Sequence, residues 1–434
     1  MQRFKILAGA TLILLVLLGL TTNIFTPNSV PDSLATLTTA KLEKPVVDKQ
    51  QVHAYKMQQQ ALQLAIKAYF DKAIASGDIV GAGVSIVQGD SIVISSGFGK
   101  KNINRKDRVN GETIFRLGSL SKGFAGVLAA NLKSEGILDW EDKVSDFIPE
   151  FQLGDQVNTH KITLANILSH TSGTPYHSYT NLVEAGLPLV AIAERFRDVM
   201  PNALPGSMYS YQNAMFALCG EMIYKVTGQE IGTALAERIL NPLGMCSTLT
   251  DYESLARAHN VAKPHVKSRN GYRASKLNDN YYNAIAAGGI NSSAGDMAKW
   301  MRFLLGHNPE IMSKTALAET FNPFIEIKGS SKYYHRWPGH LKSHYAFGWR
   351  IHTYLDEDSM EEKTIWHHGG SVNNFRNEIA LYPDADLGIC VLLNSHSRLA
   401  QTVIPDLHQI VKEVYGSSNA TMAHNSNTNT TASL

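Results

Sequence analysis

Ser119 is the one serine in the chain followed three residues later by a lysine, Lys122, in the run Gly118-Ser119-Leu120-Ser121-Lys122. On a helix, residues three apart share a face, with roughly 5–6 Å between their Cβ atoms. A lysine amine at that distance can exchange a proton with the serine hydroxyl, which unaided is a poor nucleophile. The spacing also fits an ordinary helix start, with Ser119 as cap and Lys122 in solvent. The surroundings favour chemistry: Ile114, Phe115 and Leu117 come before it and an apolar stretch from Gly123 to Leu132 follows. A nucleophile opening a buried helix would also lie in the positive field of the helix dipole.

Such a pair needs a second group to handle protons. Tyr-x-Asn supplies a phenol to shuttle them and an amide to hold substrate. It occurs three times, at Tyr179-Thr180-Asn181, Tyr211-Gln212-Asn213 and Tyr281-Tyr282-Asn283. Tyr211 follows Pro205-Gly206 and precedes an apolar helical run from Ala214 to Val226, so it sits at a loop-to-helix junction. The other two lie in polar, irregular stretches, and Tyr211 with Asn213 is the favoured pair. A third element, Trp366-His367-His368-Gly369-Gly370, stands just before two strand-like runs. A strand edge of small residues lets substrate approach the backbone, where an N–H can donate to an oxyanion. A plain glycine turn is the alternative. The adjacent histidines lack the partner spacing of a metal site.

Elements that could position these groups follow from periodicity. Ala54 to Ala75 is helical, with Leu62, Ala65, Ile66, Tyr69 and Phe70 on one face. Gly83 to Val87 and Ser91 to Ser95 read as strands joined at Gly89-Asp90. Most segments from Ser121 to about Leu240 are helical. Asn377 to Tyr382 and Leu387 to Asn394 are again strands, turning at Pro383-Asp384, and Leu399 to Tyr415 closes as an amphipathic helix. The fold class is α+β: one antiparallel sheet built from both ends of the chain, flanked by the terminal helices, with a mainly helical second lobe.

The three elements, in this order, resemble the class C β-lactamase and low-molecular-mass penicillin-binding-protein family: Ser-x-x-Lys, then Tyr-x-Asn, then Lys/His-x-Gly. Phe115-Arg116-Leu117-Gly118-Ser119, Gly136 to Asp142, Ile162-Thr163 through Ser169-His170-Thr171-Ser172-Gly173, Ala287-Gly288-Gly289-Ile290 and Leu387-Gly388 to Leu393-Asn394 are also similar to it. The resemblance covers about residues 60–415. It implies a β-lactamase/transpeptidase-like fold and a serine hydrolase in which Ser119 forms an acyl-enzyme, without a metal or other cofactor. Lys122 and Tyr211 would share the proton transfers. Asn213, His367, Gly369 and Gly370 would contact substrate, and the N–H groups of Ser119 and Gly370 would form the oxyanion hole. His170 would be structural, closing a helix end. Arg376 would meet a substrate carboxylate or lie solvated in a loop. His367 stands where many β-lactamases carry lysine, and histidine is largely neutral near pH 7. That points to D-amino-acid peptides, related amides or β-lactam-like compounds as substrates, with rapid β-lactam turnover in doubt. An esterase on small esters, or a penicillin-binding sensor without turnover, are the alternatives.

Forty Lys and Arg against thirty-eight Asp and Glu leave a formal charge of +2, which gives no electrostatic reason to expect nucleic acid as a partner. A small-molecule or peptide substrate is the expected one; the sequence leaves oligomeric state open. Cys219, Cys246 and Cys390 form no C-x-x-C pair and read as buried free thiols. Arg3 and Lys5 precede the apolar run Ile6 to Leu20, which at ~1.5 Å per residue reaches roughly 22 Å. Residues 1–25 therefore read as a signal peptide or as a retained membrane anchor. Either exports the chain, to the periplasm or to the inner membrane facing it. Residues 26–50 read as linker, 51–416 as the hydrolase domain and 417–434 as a disordered tail.

Overall fold

The computed structural model describes residues 49–428, with side chains from 53 to 415. The segment read from sequence as a signal peptide or anchor, and nearly all of the one read as linker, lie outside them. The chain forms two units, 1–53 and 54–434; the fold below is that of the second.

Eight strands make one antiparallel sheet: β1 Gly81–Gln88, β2 Ser91–Gly99, β3 Ile325–Glu326, β4 His340–Tyr345, β5 Arg350–Asp356, β6 Glu361–Val372, β7 Phe375–Tyr382 and β8 Leu387–Leu393, in the order β2-β1-β8-β7-β6-β5-β4-β3. The sheet is thus closed from both ends of the chain, with Val84 opposite Val391 in the β1–β8 pairing. Every residue of β8 is buried, and its side chains sort by parity. Ile389, Val391 and Leu393 face a layer that includes Leu62, Ile66 and Phe70 of helix α1 (Lys49–Ala75). Cys390 and Leu392 face the core of the second lobe. The closing helix, Val403–Thr428, packs Val403, Ile404, Leu407 and Val411 on the α1 side. It runs on to Thr428, into the segment read from sequence as a tail. Once a helix is nucleated by packing, each further residue adds a hydrogen bond at little cost, even in a polar stretch. Cys219 and Cys390 are buried free thiols as expected, whereas Cys246 is exposed.

Two features hold the nucleophile segment, the second of them against the sheet. The short strand Ile114–Arg116 pairs with Asn291–Ser293, and the Asn377 amide on β7 donates to Arg116 O (2.8 Å) and Leu117 O (3.0 Å). Helix α2, Ser121–Ser134, then runs through the core with Ser121 to Leu132 buried. Its Gly126 lies where a Cβ would come 2.1 Å from Phe347 O, and Phe124 stacks on Trp300 at 4.0 Å.

Strand β6 crosses close beside this segment. A Cβ on Gly370 would lie 2.1 Å from Leu117 O, a backbone atom that Asn377 holds in place. Gly370→Ala should therefore destabilise the fold by on the order of 1–3 kcal/mol, the usual cost of overpacking, in denaturant unfolding. Unchanged stability would show that this approach is not tight.

Candidate active site

Ser119 sits in a short 3-10 turn, Gly118–Leu120, that feeds directly into α2. Gly118 has φ +58°, and its Cβ position lies 2.9 Å from the backbone of Ser371. Conformation and space both require glycine there. The turn exposes Ser119 in part while burying its neighbours.

Lys122, one turn on, is fully buried. Its Nζ lies 2.7 Å from Ala287 O, 2.8 Å from Asn213 Oδ1 and 3.4 Å from Ser119 Oγ. Burial, and then the Arg350 charge, hold its pKa well below the ordinary lysine value. A neutral amine has two N–H bonds and one lone pair. The two short contacts use both N–H bonds, so the lone pair is left for the serine hydroxyl. The Tyr211 hydroxyl donates to Ser119 Oγ at 2.9 Å. Burial raises the Tyr211 pKa, which keeps it a protonated donor. The arrangement can thus take a proton from Ser119 at one nitrogen and present another at a phenol.

Tyr211 is held by His170. The loop after the capped helix Leu164–Leu168 puts His170 at φ +59°. There its Nδ1 accepts the Gln212 N–H (3.2 Å), and its ring lies 4.1 Å from the Tyr211 ring. Asn213 reaches the cluster as expected, but its amide is engaged within the protein. Oδ1 accepts from Lys122, and Nδ2 donates to Tyr281 Oη at 3.2 Å. The geometry makes Asn213 an orienter of Lys122 before it is a substrate contact. Tyr281 was missed from sequence, although it opens one of the three Tyr-x-Asn runs; what brings it in is its left-handed φ of +73° and its packing over Gly288.

The third element needs two corrections. His367 does not face Ser119. It is fully buried on the opposite face of β6, where Nε2 meets Glu378 Oε2 (2.8 Å) and Nδ1 meets His352 Nε2 (2.9 Å). Side chains alternate along a strand, so its neighbour His368 takes the other face, bonded to Tyr345 Oη at 2.9 Å with its ring 6.5 Å from that of Tyr211. Gly369 shares the His367 face: its Cβ position is 2.7 Å from Tyr333 Oη.

The second correction concerns the oxyanion donor. Asn373 and Asn374 both have positive φ and join β6 to β7 in a two-residue turn, with Val372 paired to Phe375. Such a turn closes on a hydrogen-bonded pair, and hydrogen-bonded positions alternate along the ladder. Val372 and Gly370 therefore bond toward β7, and Ser371 and Gly369 point their N–H groups the other way. The pairing of β6 with β5 ends at His367 opposite Arg350, so past that point this edge faces the Ser119 turn. The N–H available beside Ser119 belongs to Ser371, not Gly370. Arg376 is not a free loop cation either, since it lies on β7 and pairs with Glu378 at 2.7 Å.

Residues 66–409 match the Beta-lactamase family, and the chain belongs to that family. It is 28% identical to an unguisins hydrolase, ungD′, of Aspergillus campestris, over 74% of this chain and 59% of that protein. It is 25% identical to the protein flp of Staphylococcus aureus strain COL, over 83% of this chain and 69% of that one. The chain thus spans less than two thirds of the fungal relative's length. In fold it is similar to the octameric penicillin-binding protein homologue of Pyrococcus abyssi, with a TM-score of 0.67 and 24% identity over 80% of this chain and 77% of that one. The fold is of the β-lactamase/transpeptidase kind, and the family is one of serine hydrolases.

His170, His352, His367 and His368 are all kept neutral by burial, their pKa values held well below 6.5. They take up protons on unfolding, so stability falls as pH drops below about 6.5, by about 1 kcal/mol per histidine between pH 6.5 and 5.5. Glu378, raised to about 7 by burial, works in the opposite direction, binding its proton more tightly folded than unfolded. Four groups against one leave a net loss. Denaturant melts at the two pH values should show it, and equal stability would contradict the neutral assignment.

Proposed function

We propose that the chain is an acyl-transferring serine hydrolase with Ser119 as nucleophile, acting on D-amino-acid peptides, related amides or β-lactam-like compounds. The observation that carries this reading is the convergence of the buried Lys122 Nζ (3.4 Å) and the Tyr211 hydroxyl (2.9 Å) on Ser119 Oγ, with Lys122 also held by Ala287 O and Asn213 Oδ1. Ser119 Oγ attacks the substrate carbonyl carbon and passes its proton to Lys122 Nζ. The carbonyl oxygen becomes an oxyanion between the N–H groups of Ser119 and Ser371. As the tetrahedral intermediate collapses, the bond to the leaving group breaks and the Tyr211 hydroxyl supplies its proton, which the lysine restores. Water then attacks the acyl-enzyme by the same steps in reverse order.

Ester substrates need less leaving-group protonation than amides, and the same groups support esterase activity. The position where the family often carries a lysine is here a buried neutral histidine, His368. This favours acylation by β-lactams without rapid release.

Mass spectrometry after incubation with a fluorescent penicillin, or with a serine-directed phosphonate, should show one adduct on Ser119, absent in Ser119→Ala. Failure of both reagents would reject the nucleophile. Lys122→Met should slow acylation by roughly 10²–10⁴-fold, the usual weight of a general base. In the parent protein, acylation should rise with pH and level off well below 10.5, because burial lowers the Lys122 pKa from that value. A limb at the ordinary lysine pKa would mean that the amine is solvated. Rates on a p-nitrophenyl ester, a D-Ala-D-Ala peptide and a chromogenic cephalosporin, compared on one preparation, separate esterase, peptidase and β-lactamase.

A further inference from the structure

We infer that the chain carries a second ligand site on the face of the sheet turned away from Ser119, a cavity beneath the closing helix that takes an amine borne on an aromatic body. This site does not depend on the hydrolase reading.

The cavity measures about 860 Å³, within the range of small-molecule sites. Tyr354 of β5, Ile365 of β6 and Tyr382 at the end of β7 line it from the sheet, Tyr69 of α1 and Trp337 line it further, and the closing helix covers it. Tyr354, Ile365 and Tyr382 pack in one layer with Leu62, Ile66 and Phe70. Leu120 and Phe124, which flank the nucleophile, belong to the core of the other lobe. The sheet therefore lies between this cavity and Ser119.

Two buried phenols point to a ligand. Tyr382 is 2% exposed and Tyr354 9%, and neither hydroxyl has a hydrogen-bond partner among the described residues. Neither is sealed off by protein, as the Tyr415 hydroxyl is. The little of each side chain that stays open thus includes its hydroxyl, and what it opens on is the cavity. A phenol so enclosed forfeits a hydrogen bond that a polar group on a ligand restores.

Charge decides the class of ligand. Asp356, Glu357, Asp358 and Asp406 line the cavity, against Arg336 and Lys412. Lys412 is committed to Asp356 and Asp358, and Asp356 also meets Lys363. Arg336 is exposed and donates to Gln401 Oε1 at 3.4 Å. Asp406 has no cation among the described residues. Its Oδ2 accepts from the Tyr69 hydroxyl at 2.6 Å and the Thr402 hydroxyl at 3.0 Å, which leaves Oδ1 unused. His408, stacked on Tyr382 at 4.0 Å, is kept neutral by burial, its pKa lowered to about 4, and adds no positive charge. An ammonium can donate to Asp406 Oδ1 and to a phenol oxygen while its aromatic body lies among the rings. A ligand carboxylate would instead face an unpaired carboxylate.

Tryptamine, indole-3-propionate and tryptophan share one ring and differ in charge, and calorimetric titration of the full chain with each tests the site. Tryptamine should bind saturably and one to one, with indole-3-propionate weaker by about tenfold or more, the weight of a hydrogen bond to a charged group. Tryptophan should also bind more weakly than tryptamine. Asp406→Asn should weaken tryptamine by about tenfold and remove its advantage over the acid. Tyr382→Phe, which removes one oxygen and keeps the packing, should weaken it about threefold; it decides the matter should Asp406→Asn not fold. Treatment with the serine-directed phosphonate should leave tryptamine affinity unchanged. Loss of binding on that treatment would place the amine in the Ser119 site and overturn the inference. So would absence of saturable binding, equal affinity for the acid, or an affinity that neither variant changes. Tryptophan bound as tightly as tryptamine would bring Arg336 into the site and replace the amine with an amino acid, which also overturns it.

Discussion

The enclosure of the Lys122 amine is the constraint on which the site depends. An ammonium taken out of water loses its hydration, and here the protein returns three acceptors, Ala287 O, Asn213 Oδ1 and, at 3.4 Å, Ser119 Oγ, none of them a carboxylate. Without a counter-ion among them, burial favours the neutral amine. The surroundings hold to the same condition. Cys219, near enough for its thiol to feel the Lys122 charge, is itself kept protonated by burial. The tyrosine whose hydroxyl meets Ser119 is likewise held in its neutral form. The packing that creates this environment is also the packing of α2 against the sheet, so the stability of the helix and the basicity of its lysine have one origin.

The second requirement is a backbone donor, and it is met by contact between main chains. Gly118 and Gly370 face each other's segments with no room for a Cβ, and Asn377 ties the nucleophile strand to β7. The type of turn at Asn373-Asn374 then decides which N–H faces the serine. Moving the turn by one residue would exchange the roles of Gly370 and Ser371 and put the wrong side chains on each face, since register and facing are linked in a strand. A surface hairpin thereby sets the oxyanion geometry from a short distance away.

Much of this was legible in the residues. The Ser119–Lys122 spacing and the choice of Tyr211 over Tyr179 followed from local context, and the terminal hairpins followed from runs such as Leu387 to Leu393. The middle of the sheet did not show. β4, β5 and the start of β6 carry His340, Lys342, His344, Arg350, His352, Glu361, Glu362 and Lys363, so the apolar alternation that marks a strand is absent. Two of them, His340 and His352, are placed by hydrogen bonding across the back of the sheet, in the chain His340–Ser343–His352–His367–Glu378. The same polar layer explains why His367 was assigned to the site. Two histidines in succession fit the motif equally well in sequence, and only the pleat separates them. Gly370 was displaced for a related reason: motif spacing does not tell which way an N–H points.

The polar layer also bears on where the site keeps its positive charge. A lysine at the position of His368 would bring a cation to the strand beside the nucleophile, and its field would act on Lys122 directly. With a neutral imidazole bonded to Tyr345 there, the nearby cations are instead Arg350 on β5 and Arg376 on β7, and Glu378 on the far face answers only the second of them. Moving the charge to a flanking strand separates two tasks that one lysine would combine. The flanking arginines can remain permanently charged, because a guanidinium does not release its proton in the working range, while the groups closest to Ser119 stay neutral and can exchange theirs. Arg350 lowers the Lys122 pKa without itself taking part in proton transfer.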